Sequence, residues 1–236
     1  VEHVPLTDTA EAVTRVLSER AAGQNTGGAV DLIWINGPNF LAMKEQDLLF
    51  GPFIKRLPNA RFVDLSPDAP ASVDFTVPVD GLEAPWRLAK FVFIHDSARL
   101  PNPPQSMGEL LDWARDKPGR FTHPDPANFM GASFLKQALI SLVDSPAILQ
   151  NPVSEADYTA LTAPLWAWYD ALRPLMWREG DTFPENESIQ ARLLNDGEID
   201  ITMSFDPSYA AAAINLGLLP DTARVFVPEG GTLGNI

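Results

Sequence analysis

Cysteine is absent from the 236 residues, so the chain has no disulfide, no thiolate metal site and no cysteine nucleophile. This absence is compatible with the cytosol and with a bacterial periplasm. Long apolar runs are absent too, since nothing approaches the roughly 18 residues of a membrane-spanning helix. The opening residues, VEHVPLTDTAEAV, contain no targeting signal.

Basic residues are scarce: 17 Lys and Arg stand against 31 Asp and Glu, for a formal net charge of −14. Binding to the phosphate backbone of a nucleic acid requires clustered positive charge. Because this chain is strongly acidic, we exclude a nucleic-acid partner. The chain is 45% apolar and long enough for one large domain or two modest ones.

Catalytic motifs are also lacking. The sequence has no G-x-S-x-G, P-loop or H-E-x-x-H pattern, and its three histidines show no metal-ligand spacing. His95, Asp96 and Ser97 are consecutive, so their side chains point in alternating directions and do not predict a triad. The alternative of an α/β hydrolase or transferase therefore depends on a single base, Asp206 or His123, and we expect neither a cofactor nor a metal.

Strand-like and helix-like segments alternate along the chain. Three apolar runs resemble strands in the first sixty-odd residues: VEHVPL (1–6), VDLIWI (30–35) and ARFVDL (60–65). Helical patterns lie between them. This order predicts an α/β protein with largely parallel sheets covered by helices.

Three junctions between a strand and a helix carry polar groups: Trp34 to Asn39, His123 to Ser133, and Ser204 to Tyr209. The N-terminus of a helix presents unpaired N–H groups and a positive dipole end, which favour anions or carbonyl oxygens. Asp206 is also the residue type of a helix N-cap, so a purely structural role stays open there.

Two of the six tryptophans, Trp34 and Trp86, lie at breaks in the pattern rather than inside helices. Exposed aromatic faces bind flat or cationic ligands by stacking and cation–π attraction. Packing between two domains is the alternative role.

Three stretches resemble the periplasmic solute-binding proteins of bacterial ABC importers, and most closely their thiamine-type members within the group that also binds iron and polyamines. They are VDLIWINGPNFLAMKEQDLLFGPF, RFTHPDPANFMGASFLKQAL and GEIDITMSFDPSYAAAAINLGLLPDTARVFVPEGGTLGN. The resemblance implies a type II fold of two lobes, each a mixed, mostly parallel sheet flanked by helices. Lobe one would be residues 1–90 with 223–236, lobe two residues 91–222, and the hinge strands near 90–95 and 223–227. Measured against the family pattern, we expect lobe one to be incomplete and the chain to be truncated at both ends.

The same resemblance implies a monomeric, non-enzymatic periplasmic receptor, its signal peptide removed, that captures a small molecule between its lobes and delivers it to a membrane permease. The ligand-binding residues it implies are Trp34, Asn36, Asn39 and Trp86 from lobe one, and Gly131, Ser133, Ser204, Asp206 and Tyr209 from lobe two. Three tyrosines do not form the tyrosine pair of iron binders. Asp206 opposite Trp34 would suit an organic cation such as thiamine, whereas helix N-termini would suit an anion, and both stay open.

Overall fold

The computed structural model describes residues 2–6, 8–67 and 69–235, so positions 1, 7, 68 and 236 of the predicted lobe one lie outside the described residues. The chain divides into two compact units. Unit 1 contains residues 1–88 and 235–236, and unit 2 contains residues 89–234. In the part of the chain that is described, no helix has the length and apolar character needed to cross a membrane.

Unit 1 is built from two helices and a small hairpin. Its elements are α1 (Thr9–Ala21), α2 (Pro38–Glu45), β1 (Val73–Asp74) and β2 (Val77–Pro78). Asp8 starts α1 as a capping box, since its carboxylate accepts from Ala10 N at 2.8 Å while Glu11 accepts from the Asp8 N–H. Three 3₁₀ turns lie between α2 and β1, at Ile54–Arg56, Pro58–Phe62 and Pro70–Ser72.

Unit 2 contains the remaining elements. In chain order they are β3 (Ala89–Lys90), β4 (Val92–Asp96), α3 (Met107–Asp116), α4 (Phe129–Leu142), α5 (Glu155–Leu172), α6 (Glu187–Asn195), β5 (Ile201–Ser204), α7 (Tyr209–Asn215), β6 (Ala223–Phe226) and β7 (Gly234–Asn235). The last residue of β7, Asn235, belongs to unit 1. Ser106 caps α3, Asn128 caps α4 and Ser154 caps α5, each by accepting a backbone N–H.

The central sheet of unit 2 has the order β5-β4-β6, and helices cover both of its faces. All five residues of β4 are buried. Because side chains alternate along a strand, Phe93 packs into the cluster that includes residues of α3, α4 and α5, while Ile94 packs into the cluster with α6 and α7. This arrangement makes β4 the centre of the unit.

The sheets correct the expectation of mostly parallel strands. In the described residues, β1–β2, β4–β5 and β4–β6 are all antiparallel, and parallel pairing occurs at the isolated bridge between Phe121 and Ile201. The predicted hinge strands, near 90–95 and 223–227, contain β4 and β6, which pair with each other in register Phe93 to Phe226.

The three strands predicted before residue 66 are also corrected. Described residues 2–6 and 30–35 belong to no strand, and Pro58–Phe62 is a 3₁₀ turn. Leu32 is 88% exposed, which no buried strand allows. A run of β-branched residues becomes a strand only when another backbone pairs with it, and these segments have no such partner among the described residues.

Candidate functional site

Trp34 and Trp86 form an exposed aromatic pair in unit 1. Their ring centroids lie 5.7 Å apart with the planes tilted by 58°. The two residues are 61% and 76% exposed, so most of both indole surfaces faces solvent. The pair offers two tilted aromatic faces, an arrangement that can contact a flat or cationic group.

The turn after Trp34 requires a glycine. Gly37 precedes α2 at φ 55° and ψ −129°, a conformation that a residue with a side chain rarely adopts. Its N–H donates to the buried carboxylate of Asp74 at 2.5 Å. The predicted ligand-binding residues Asn36 and Asn39 lie on either side of Gly37, and both are half-buried.

Asp74 joins this turn to two other segments of unit 1. Its second carboxylate oxygen accepts from Asn235 Nδ2 at 2.7 Å, and Asn235 Oδ1 accepts from Phe75 N at 2.7 Å. Phe75 has a φ of 52°, so the Asn235 amide holds a strained residue of the β1–β2 hairpin. This network was not predicted, because Asp74 and Asn235 are 161 residues apart.

Glu83 is a second buried acid of unit 1. It is 9% exposed, and among the described residues its Oε2 has no hydrogen-bond partner. Burial, followed by the charge of Asp74, raises the pKa of Glu83 from 4.5 to about 8. Near neutral pH the folded protein therefore keeps this side chain largely protonated.

In unit 2, Gly131 and Ser133 lie in the first turns of α4. A Cβ at Gly131 would lie 2.2 Å from the carbonyl oxygen of Asp125 and 2.3 Å from that of Pro124, so this glycine allows the helix to approach the preceding loop. Ser133 is fully buried and donates its hydroxyl to the Phe129 carbonyl at 2.7 Å. Both residues have clear packing roles inside unit 2.

The segment after β5 contains the other predicted residues of lobe two. Ser204 Oγ accepts from Asp206 N at 3.0 Å, and the Asp206 carboxylate accepts from Ser208 N at 2.9 Å. The N-cap of α7 is Ser208, so the prediction of Asp206 as the helix cap is wrong by two residues. Burial, then the charge of Glu187, raises the pKa of the Tyr209 hydroxyl.

These two parts of unit 2 are neighbours. The rings of Phe129, at the start of α4, and Phe205, after β5, have centroids 5.2 Å apart. The start of α4 and the segment after β5 therefore lie side by side within unit 2.

His123, the alternative catalytic base, is a core residue. It is fully buried, its Nε2 accepts from the Tyr169 hydroxyl at 2.9 Å, and its Nδ1 donates to the Pro124 carbonyl at 2.6 Å. Burial lowers its pKa from 6.5 to about 4. Both ring nitrogens are engaged, which leaves no lone pair for a substrate proton. No group of three His, Asp or Glu side chains suited to a metal occurs among the described residues.

Comparison with known proteins identifies the family. A family model described as bacterial extracellular solute-binding protein matches residues 1–235. The protein YnjB of Escherichia coli strain K12 is 41% identical over 233 residues, which are 99% of this chain and 60% of YnjB. The chain therefore spans about 60% of the length of this relative.

A solved structure shows the same fold. The periplasmic binding protein AfuA from Actinobacillus pleuropneumoniae, with exogenous fructose-6-phosphate bound, matches with a TM-score of 0.60 at 16% identity, over 97% of this chain and 61% of AfuA. The fold is thus the α/β fold of periplasmic binding proteins. Since the family model covers nearly the whole sequence, this chain belongs to the bacterial extracellular solute-binding proteins.

Proposed function

We propose that the protein is a periplasmic receptor that captures a small solute reversibly and delivers it to the permease of an ABC importer. Membership of the solute-binding family over residues 1–235 supports this function. The observation that carries it to particular residues is the Trp34–Trp86 pair, two large aromatic surfaces that the folded unit 1 leaves in solvent. Two aromatic faces in contact on the surface form a contiguous apolar patch, which is typical of a binding surface.

The proposed solute is organic, with a flat or cationic group that contacts Trp34 and Trp86. A thiamine-like compound is both flat and cationic, and we propose this class of compound as the solute. Asn36 and Asn39 would add amide hydrogen bonds on unit 1. On unit 2, the candidate polar group is Ser204, Asp206 and Tyr209 beside the start of α4 with Gly131 and Ser133.

We also propose that the two units correspond to two lobes, taken as residues 1–90 with 223–236 and residues 91–222. The chain divides into two compact units, 1–88 with 235–236 and 89–234, which supports a division into two lobes. The units differ from the proposed lobes mainly in residues 223–234, which belong to unit 2. Each lobe would carry its own group of contact residues. We propose that the receptor acts as a monomer.

Isothermal titration calorimetry tests the binding role. Thiamine, thiamine pyrophosphate, spermidine, fructose-6-phosphate and inorganic phosphate are each titrated into the wild-type chain, Trp34→Ala and Trp166→Ala. Trp166 is the matched control, because it is also partly exposed, at 39%, but lies on α5 of unit 2. Losing one desolvated cation–π or stacking contact of about 1–2 kcal/mol weakens binding roughly 5- to 30-fold.

We expect one compound to bind the wild-type chain and the Trp166→Ala variant equally, and to bind Trp34→Ala at least about fivefold more weakly. Equal affinity for all three proteins would contradict a site on Trp34. Mass spectrometry of the titrated compound adds a second criterion. If the compound is converted to a product, the protein is an enzyme and the receptor proposal fails.

A further inference from the structure

The segment that carries Trp34 has few connections to the rest of unit 1. In the described part of the chain, residues 30–36 make no backbone hydrogen bond. The nearest ones flank the segment: Ala29 N donates to Glu19 Oε2 at 3.1 Å, on the surface, and Gly37 N donates to buried Asp74. The buried bond is the stronger restraint, because charge-assisted bonds away from water are worth more than exposed ones.

The Asp74 carboxylate depends in turn on Asn235. One amide of Asn235 donates to Asp74 and accepts from Phe75, so a single side chain fixes both the acceptor of Gly37 and the hairpin that carries it. Asp74 is 0% exposed and Asn235 is 7% exposed. The Phe75 ring also packs on Gly37, with its Cε2 3.2 Å from where a Cβ at Gly37 would lie. Three segments distant in sequence therefore meet at one turn.

We propose that Asp74 and Asn235 are positioning residues that hold the 30–36 segment, and with it Trp34, in the orientation needed for solute contact. This inference rests on the proposed function for its link to the solute. Neither residue touches the solute in this scheme. They act through Gly37, which lies three residues after Trp34.

The arrangement of donors and acceptors permits an exchange test. Asp74→Asn puts a second amide N–H₂ opposite the Asn235 amide, and Asn235→Asp puts two carboxylates face to face, so each single variant loses a hydrogen bond. In the double variant Asp74→Asn/Asn235→Asp, the amide at position 74 accepts from Gly37 and donates to the carboxylate at position 235, which still accepts from Phe75. All three hydrogen bonds are then restored.

The readout is ¹⁹F NMR of the full chain labelled with 5-fluorotryptophan, which gives one signal for each of the six tryptophans. Trp34→Phe and Trp86→Phe variants assign the two signals of unit 1. Asp80→Asn is the matched control, because Asp80 is an exposed acid of unit 1 that pairs with Lys44 at 2.6 Å near the other end of α2. The control removes the same charge without touching the Gly37 turn.

We expect the Trp34 signal to shift or broaden in both single variants, to return to the wild-type position in the double variant, and to stay in place in Asp80→Asn. An unchanged Trp34 signal in the folded single variants would overturn the proposal. If the single variants unfold unit 1, the double variant decides: recovery of the native Trp34 signal supports the positioning role, and failure to recover it overturns that role.

This readout requires no solute, so it separates the inference from the proposed function. Calorimetry on the same variants tests the link, using the compound that binds the wild-type chain. If the Trp34 signal is displaced and the solute affinity falls in the single variants, and both recover in the double variant, the results support the positioning role and the site on Trp34. A displaced Trp34 signal with unchanged affinity leaves the positioning role standing and contradicts the site on Trp34.

Discussion

The buried acid Glu83 gives unit 1 a pH dependence of known sign. Its pKa is raised from 4.5 to about 8 in the folded protein, so the folded state keeps a proton that the unfolded chain releases. For an acid shifted upward, the stability is highest below the unfolded pKa of 4.5 and falls as the pH rises toward 8. Midway between the two pKa values each pH unit costs about 1.4 kcal/mol, and the slope flattens near each of them. The loss between roughly pH 5 and pH 7.5 is therefore about 3 kcal/mol.

The substitution Glu83→Gln removes this titration. Its amide cannot ionise, so the free energy of unfolding of unit 1 should fall about 3 kcal/mol less than in the wild-type chain over that window. Any fixed cost of burying the amide is independent of pH, so only the slope is compared. Glu45→Gln is the control, because it makes the same chemical substitution at an exposed position, the end of α2, and leaves the buried acid in place.

Urea unfolding at several pH values measures these slopes. The ¹⁹F signals of Trp34 and Trp86 report unit 1 separately, which matters because a chain of two units does not have a single free energy of unfolding. Glu45→Gln should follow the wild-type slope. Parallel curves for the wild-type chain and Glu83→Gln would refute the reasoning, since they would mean that Glu83 ionises in the folded protein as it does in the unfolded chain.

Two further variants test unit 2. Gly131→Ala should destabilise unit 2 by about 1–3 kcal/mol, because the new Cβ would meet two backbone oxygens. Gly108→Ala on α3 is the control: its Cβ would have its nearest neighbour at 3.8 Å, and the variant should be more stable by about 0.5–1 kcal/mol. Thermal melts measure both changes, and a stabilising effect of both variants would contradict the close approach at Gly131. The pKa of His123 is lowered in the folded protein, so its contribution to stability is complete above pH 6.5 and is lost as the pH falls toward 4. Between roughly pH 7 and pH 5, the wild-type chain should therefore lose about 2 kcal/mol more stability than His123→Gln. Urea titrations followed by far-UV circular dichroism check this, and equal losses in both proteins would mean that the folded imidazole titrates as it does in the unfolded chain.

The helices of unit 2 show how far local sequence rules reach. Ser106 with Glu109 three residues later matches the sequence rule for a helix N-cap, and its hydroxyl accepts from Glu109 N at 3.1 Å at the start of α3. Residues 129–142 have the apolar content of a packed helix and form α4, and the apolar run before Phe205 forms β5. These features depend on residues within a few positions of each other, which a sequence displays directly.

The candidate site was predictable to a smaller extent. Trp34 and Trp86 were selected because they interrupt local patterns, and the structure places them in contact. The carboxylates of Asp74 and Glu83 carried no such signal. Their importance comes from burial and from a partner at the far end of the chain, and neither property is visible in a window of neighbouring residues.

The sequence by itself determined the family, the cap of α3 at Ser106 and the apolar material of the unit 2 core, because each depends on residue identities in order. Only the tertiary structure decided that VDLIWI is not a strand, that the sheet of unit 2 is antiparallel, and that Asp74 meets Asn235. Strand pairing and desolvation are set by which distant backbone or side chain comes close. That proximity exists only once the chain has folded.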